Sequence, residues 1–101
     1  MSSLSMSGVP KPLELVLTQK AERDLLHIPS EFRQRIKADI LRLAEGNIPV
    51  HQFKKLHGFS PAIWQLTSGE FRVLYRRLGE QLLLLRVIPK PHQQRVLRSF
   101  R

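Results

Sequence analysis

Ile63-Trp64-Gln65-Leu66-Thr67-Ser68-Gly69-Glu70-Phe71-Arg72-Val73-Leu74-Tyr75 is the stretch that decides the fold. Two runs, Ala62 to Thr67 and Phe71 to Arg77, flank Ser68-Gly69, and this pattern predicts a tight β-hairpin. A two-residue Ser68-Gly69 loop sets Thr67 opposite Glu70, Gln65 opposite Arg72 and Ile63 opposite Leu74. Cross-strand partners share a face. One face then carries Trp64, Leu66, Phe71, Val73 and Tyr75, an all-apolar set expected to pack on helices. Arg72 and Arg76 point the other way, with Gln65.

Downstream, Leu78-Gly79-Glu80 reads as a three-residue loop leading into Leu82 to Ile88, the most apolar strand and the expected centre of the sheet. In that register Arg72 faces Arg86 and Arg76 faces Leu82. A one-residue slip would turn Arg86 into the helix-packed face. An unpaired charge there is costly, so the even register is expected. Arg72, Arg76 and Arg86 would then share an open sheet face and form an anion site. Pro89 and Pro91 end the strand. Val96, Leu97 and Phe100 recur at helical spacing in the tail, which predicts a short helix.

Upstream, residues 47–61 read as a loop containing Lys54-Lys55-Leu56-His57. Before it, Phe32, Ile36, Ile40 and Leu43 define one helix, with Ser30 as its expected N-cap and Gly46 as its stop. Thr18 is the expected N-cap of an earlier helix, Gln19 to Ile28, which Pro29 ends. Leu13, Leu15 and Leu17 alternate as in a strand. The expected fold is α+β. An N-terminal strand and an α-helical hairpin precede a three-stranded antiparallel meander that completes one sheet, with the hairpin on one side, and a short C-terminal tail or helix follows. Residues 1–12 are expected to be a disordered lead-in, and 13–101 a single domain.

Composition sets the outer limits. The chain has 101 residues, 42% of them hydrophobic, and no cysteine, which excludes disulfides and thiolate metal sites. No apolar run approaches the ~20 residues that span a bilayer. A cytoplasmic protein with no membrane partner is expected. The net charge is +9, and it is unevenly placed. Residues 1–53 hold seven basic and six acidic side chains, whereas 54–101 hold ten basic ones against Glu70 and Glu80. Such asymmetry points to an anionic partner. Nucleic acid leads, an acidic protein follows, and a membrane surface comes last. A merely solvated basic surface is the bland alternative.

The quoted hairpin resembles the "[YW]-x-L-[RK]-x-G-x-[YF]-R-[VL]-x-Y" pattern of the RelE/ParE superfamily, the toxins of type II toxin–antitoxin systems. Leu17-Thr18-Gln19-Lys20-Ala21-Glu22-Arg23-Asp24-Leu25 and Lys55-Leu56-His57-Gly58 are similar to two further family segments, so the resemblance spans residues 13–90. It implies a RelE-like fold with a basic cleft opposite the helical hairpin. RelE-like members are ribosome-dependent endoribonucleases, which enter the A site and cut mRNA. ParE-like members inhibit DNA gyrase. Both are neutralised by an antitoxin, here expected to be acidic and to drive oligomerisation. The shared motif does not choose between them. A catalytically inactive RNA-binding relative is the third possibility.

Metal-independent cleavage by the ribose 2′-OH needs a base, an acid and cations for the phosphate. No cofactor is expected. The resemblance assigns Arg72 to the scissile phosphate. The lysines that flank the family's hairpin strand align with Ile63 and Gln65, and the family's tail tyrosine is missing. Histidine is what the chain offers instead. His92, just past the last strand, is the first candidate acid or base, and His57 beside Lys54 and Lys55 is the second. His51 and His27 rank below them. Lys54, Lys55, Arg76, Arg86, Lys90 and Arg95 are the remaining candidates for RNA or phosphate binding.

Overall fold

The computed structural model describes residues 11–101; the first ten positions of the expected lead-in lie outside the described residues. The elements are β1 (Glu14–Leu17), α1 (Gln19–His27), α2 (Ser30–Ala44), β2 (Phe53–Leu56), β3 (Ile63–Ser68), β4 (Phe71–Leu78), β5 (Gln81–Pro89) and α3 (Gln93–Arg98). Short 3-10 turns at Val50–Gln52 and Lys90–His92 precede β2 and α3. The strands form one sheet in the order β1-β5-β4-β3-β2, in which β1 runs parallel to β5 and the other pairs are antiparallel. The class is α+β, as expected, with one more strand than the sequence suggested.

Local chemistry sets the helices. Thr18 Oγ1 accepts the Ala21 N–H at 3.2 Å and caps α1, while donating to Leu85 O at 3.0 Å. One hydroxyl thus starts the helix and ties it to β5. Pro29 ends α1 and itself stands at the N-cap of α2, which has no side-chain cap. Ser30 is already helical, so its expected capping role is not made. Ala21 and Leu25 of α1 and Ile36, Ile40, Leu43 and Ala44 of α2 are buried against Leu66, Val73, Tyr75, Leu82, Leu84 and Val87. At about 1.5–3 kcal/mol per buried aliphatic side chain, this core is the principal source of stability. Phe32 sits at its rim, 47% exposed, with its ring 5.8 Å from that of Phe71.

Both hairpins turn one residue later or shorter than the sequence suggested. Ser68 pairs with Phe71, so the first turn is Gly69-Glu70. Gly69 takes φ +58°, which is cheap only for glycine. Ser68 stays in the strand because its buried hydroxyl donates to Asp39 Oδ2 at 2.7 Å. The result sets Thr67 opposite Arg72 and Gln65 opposite Leu74, a slide of two that preserves every face. In the second hairpin Leu78 pairs with Gln81 around a two-residue turn, not the expected three. Arg76 therefore faces Leu83 and not Leu82. A bulge beside Leu74 and Tyr75 then absorbs Leu85 and restores the phase, giving Leu74 opposite Arg86 and Arg72 opposite Ile88. The expected Arg72–Arg86 pair is not formed.

Three further expectations are corrected. β4, not the more apolar β5, is the middle strand. The loop over 47–61 contains β2, whose Phe53 and Leu56 serve opposite faces and so show no alternation. Two lysines between them suit an edge strand. Finally, the second sheet face is not open. Val96 and Leu97 of α3 bury Ile63, Leu74, Leu85 and Ile88, with Phe59 and Phe100 at the border. Helices therefore cover both faces. No helix of the described residues is long and apolar enough to cross a membrane.

Candidate nucleic-acid interface

The part of the second face that α3 leaves uncovered is a polar cleft of about 460 Å³. The pleat builds its floor: Lys54 of β2 lies opposite Gln65, and Thr67 of β3 lies opposite Arg72, all on one face. His51 and Gln52 form one wall, because Gln52 Nε2 donates to Thr67 O at 3.0 Å and pins the 3-10 turn to β3. Lys90, Gln93 and Gln94 form the other. Lys90 is held there by its N–H, which donates to Glu70 O at 2.9 Å.

Three cations from three elements thus line one cleft, and no acidic side chain does. Arg72 Nη1 donates to Gly69 O and Phe71 O, each at 3.0 Å. This brace fixes the guanidinium over the hairpin turn. Nη2 and Nε have no partner among the described residues and are available to an anion. A braced planar fork among like charges has the chemistry to accept a phosphate.

The other sequence candidates are placed elsewhere. Arg86, opposite Leu74 beside the bulge, does not line the cleft: its Nε and Nη2 donate to Asp24 of α1 at 2.7 and 3.1 Å. That hydrogen bond foremost, and the carboxylate charge, push the Arg86 pKa further up, against the effect of burial. The penalty foreseen for an unpaired Arg86 is removed by a partner on α1. Arg76 lies on the cleft face but beneath the tail, 6.0 Å from the Phe100 ring centroid, with its Nε buried and unpartnered. Lys55 pairs with Trp64 and so faces the helix side, opposite to Lys54. His57 is exposed beyond β2, and Arg95 is exposed on α3; neither lines the cleft. His92 is exposed in the turn between Lys90 and Gln93 without itself lining the cleft. His27 is bound to Arg23 O on α1 at 2.7 Å. Among the described residues no group of three or more His, Cys, Asp or Glu side chains could hold a metal ion.

Sequence reasoning missed four glutamines, Gln52, Gln65, Gln93 and Gln94. The available signal was Gln65, a lone amide between Ile63 and Thr67 on a strand face. No family model and no curated protein matches the sequence. Solved structures do match. The toxin-antitoxin complex RelBE2 of Mycobacterium tuberculosis is 29% identical over 78% of this chain and 99% of that one, with a TM-score of 0.55. The RelB-RelE complex of Methanococcus jannaschii is 20% identical over 85% and 99%, with a TM-score of 0.63. The isolated RelE toxin of E. coli is 17% identical over 86% and 98%, also at 0.63.

The fold is that of the RelE toxins.

The resemblance read from the hairpin motif is borne out. In this RelE-like fold the motif divides in two. Trp64, Leu66, Phe71 and Tyr75 pack toward α1 and α2, with the Trp64 and Tyr75 rings 6.5 Å apart and nearly parallel. Burial there pushes the Tyr75 phenol pKa up, partly offset by Arg77, so it stays neutral and takes no part in the cleft. Of the motif's marked positions, only Arg72 and Thr67, which stands where the pattern has Arg or Lys, reach the cleft. Most of the motif is therefore a packing signature of the fold.

Proposed function

We propose that this chain is the toxin of a type II toxin–antitoxin pair and a metal-independent endoribonuclease acting on mRNA at the ribosomal A site. The observation that carries the reading is the convergence of Lys54, Arg72 and Lys90 on one polar cleft with no acidic lining. Arg72 holds the scissile phosphate through its free N–H groups, and the two lysines offset the charge that grows there as the 2′-OH attacks. His51, in the cleft wall, is one proton-transfer group. His92, in the turn between two lining residues, is the other. Imidazole suits both steps near neutral pH.

An antitoxin partner suits the opposite side of the molecule. Leu26 is 72% exposed on α1 and Leu41 is 54% exposed on α2. They border shallow apolar grooves lined by Leu15, Leu17, Leu25 and Ile40. An amphipathic helix would cover this surface, its acidic residues meeting Arg33 and Lys37 at the rim. Assembly into larger oligomers then proceeds through the antitoxin.

The test is cleavage of a translated mRNA by the purified protein, mapped by primer extension. Wild type is expected to cut only when ribosomes are present, leaving fragments with a 5′-OH. Arg72→Ala is expected to leave the message intact. Intact mRNA with wild type, under conditions where translation still stops, would reject the nuclease reading.

A further inference from the structure

Gln65 is the only side chain of the cleft floor that is more than nine-tenths buried, at 6% exposure. On this face it is flanked by apolar Ile63 and Leu74 as well as by Thr67 and Lys54, and a buried amide is an expensive choice there unless its polar atoms are used. Half of them are. Gln93 Nε2, at the start of α3, donates to Gln65 Oε1. In this orientation of the two amides the Gln65 carbonyl is taken, and its Nε2 group has no partner among the described residues. So oriented, the floor presents an N–H donor beside Lys54, Arg72 and Lys90, which are donors as well.

We infer that Gln65 is a specificity-determining residue that reads a nucleobase of the bound RNA and favours keto bases (guanine and uracil) over amino bases (adenine and cytosine). The inference rests on the RNA reading of the cleft. A base splayed out of single-stranded RNA can offer its edge to a protein donor. A guanine O6 or uracil O4 accepts from Gln65 Nε2. An adenine N6 or cytosine N4 amino group at the same place would set donor against donor. One hydrogen bond gained against one donor clash corresponds to about tenfold in affinity. Gln93 is a positioning residue in this arrangement, because it holds Gln65 without needing to touch the base.

The experiment is binding of the full-length protein to oligouridine and oligocytidine of equal length at one salt concentration, followed by fluorescence anisotropy. Both are pyrimidines with the same charge, so the ratio isolates the keto–amino contrast. Wild type is expected to prefer oligouridine about tenfold. Gln65→Leu should reduce that ratio to near one, and Gln65→Glu should invert it, since a carboxylate accepts from the cytosine amino group. Gln93→Ala should lower the ratio partway, which keeps the test decisive if Gln65→Leu does not fold. Equal affinity for the two oligomers in wild type, or an unchanged ratio in folded Gln65→Leu, overturns the inference. A preserved ratio in a protein that cuts no mRNA would reject the nuclease reading and leave the base preference standing.

Discussion

Asp24 Oδ2 accepts from Arg86 Nε at 2.7 Å and from the Val87 N–H at 2.9 Å, so one carboxylate oxygen clamps α1 to β5 just beyond the bulge. β1 pairs with β5 only as far as Leu84, and α1 takes over the role of partner from there. Both side chains are mostly buried, at 24% and 16% exposure, so each depends on the other. Asp24→Asn and Arg86→Ala should each lower unfolding free energy by about 2–3 kcal/mol, read from urea denaturation. The Arg86 pKa is raised by Asp24, so its part of the clamp is complete below the ordinary arginine range and is lost only as pH rises beyond it. The Arg86→Ala penalty should therefore be the same at pH 7 and pH 9.

Arg72→Ala should behave in the opposite way. The side chain lies in the cleft, and its contacts within the chain are two hydrogen bonds to the hairpin turn. Losing them should cost about 1 kcal/mol of stability. Cleavage should fall by several orders of magnitude, since the substitution removes the proposed phosphate receptor. A stability loss as large as a core truncation would show that the face assignment is wrong.

The two arginines illustrate what the sequence reveals. Periodicity gave the helices, the hairpins and the faces of β3 and β4, because burial of alternate residues is a local property. Arg86 could not be assigned that way. Its place depends on a bulge and on Asp24, 62 residues away in the chain. β2 was hidden for a related reason: Phe53 and Leu56 each serve a different core, so a four-residue strand carries no pattern. The cleft was legible as excess charge but not as a list. Lys54, Arg72 and Lys90 were named, whereas the glutamines were invisible because amides leave no trace in a charge count. The open sheet face was expected because helical spacing of Val96, Leu97 and Phe100 does not say which surface the helix covers.

Histidine substitutions separate the proposed proton-transfer groups from bystanders. His51→Ala should lower the cleavage rate by about 10²-fold or more, and His92→Ala should also lower it. His57→Ala should stay within about twofold, since that side chain is exposed outside the cleft. Single-turnover rates on one defined message would rank the three. Full activity in His51→Ala would remove it from the mechanism.

Salt dependence counts the cleft cations. Three neutralised phosphates on a single strand give a slope of log affinity against log salt of about −2. Lys90→Ala or Lys54→Ala should bring this to about −1.4. Lys55→Ala should leave it unchanged, because the β-strand pleat turns Lys55 toward Trp64 and the helix side. Anisotropy titrations with one oligoribonucleotide across a salt series make the comparison. A slope that responds equally to Lys54 and Lys55 would show that RNA does not distinguish the two faces.

The last prediction concerns α3, a short helix with a large structural duty. Val96 and Leu97 cover Ile63, Leu74, Leu85 and Ile88, which are all buried. Leu97→Ala should therefore destabilise the protein by about 2–4 kcal/mol, as for other buried leucines. Truncation after Pro91 removes the whole cover and should cost more, exposing an apolar sheet face and promoting aggregation. It also removes His92, Gln93 and Gln94, leaving only Lys90 of one cleft wall. Loss of activity on truncation thus says nothing specific about chemistry in the tail. Leu97→Ala measured well below its own melting temperature separates the two effects. If α3 serves only as cover, cleavage by the folded fraction stays normal. If α3 positions the wall, cleavage falls in that folded fraction too, with the keto–amino preference weakened alongside it.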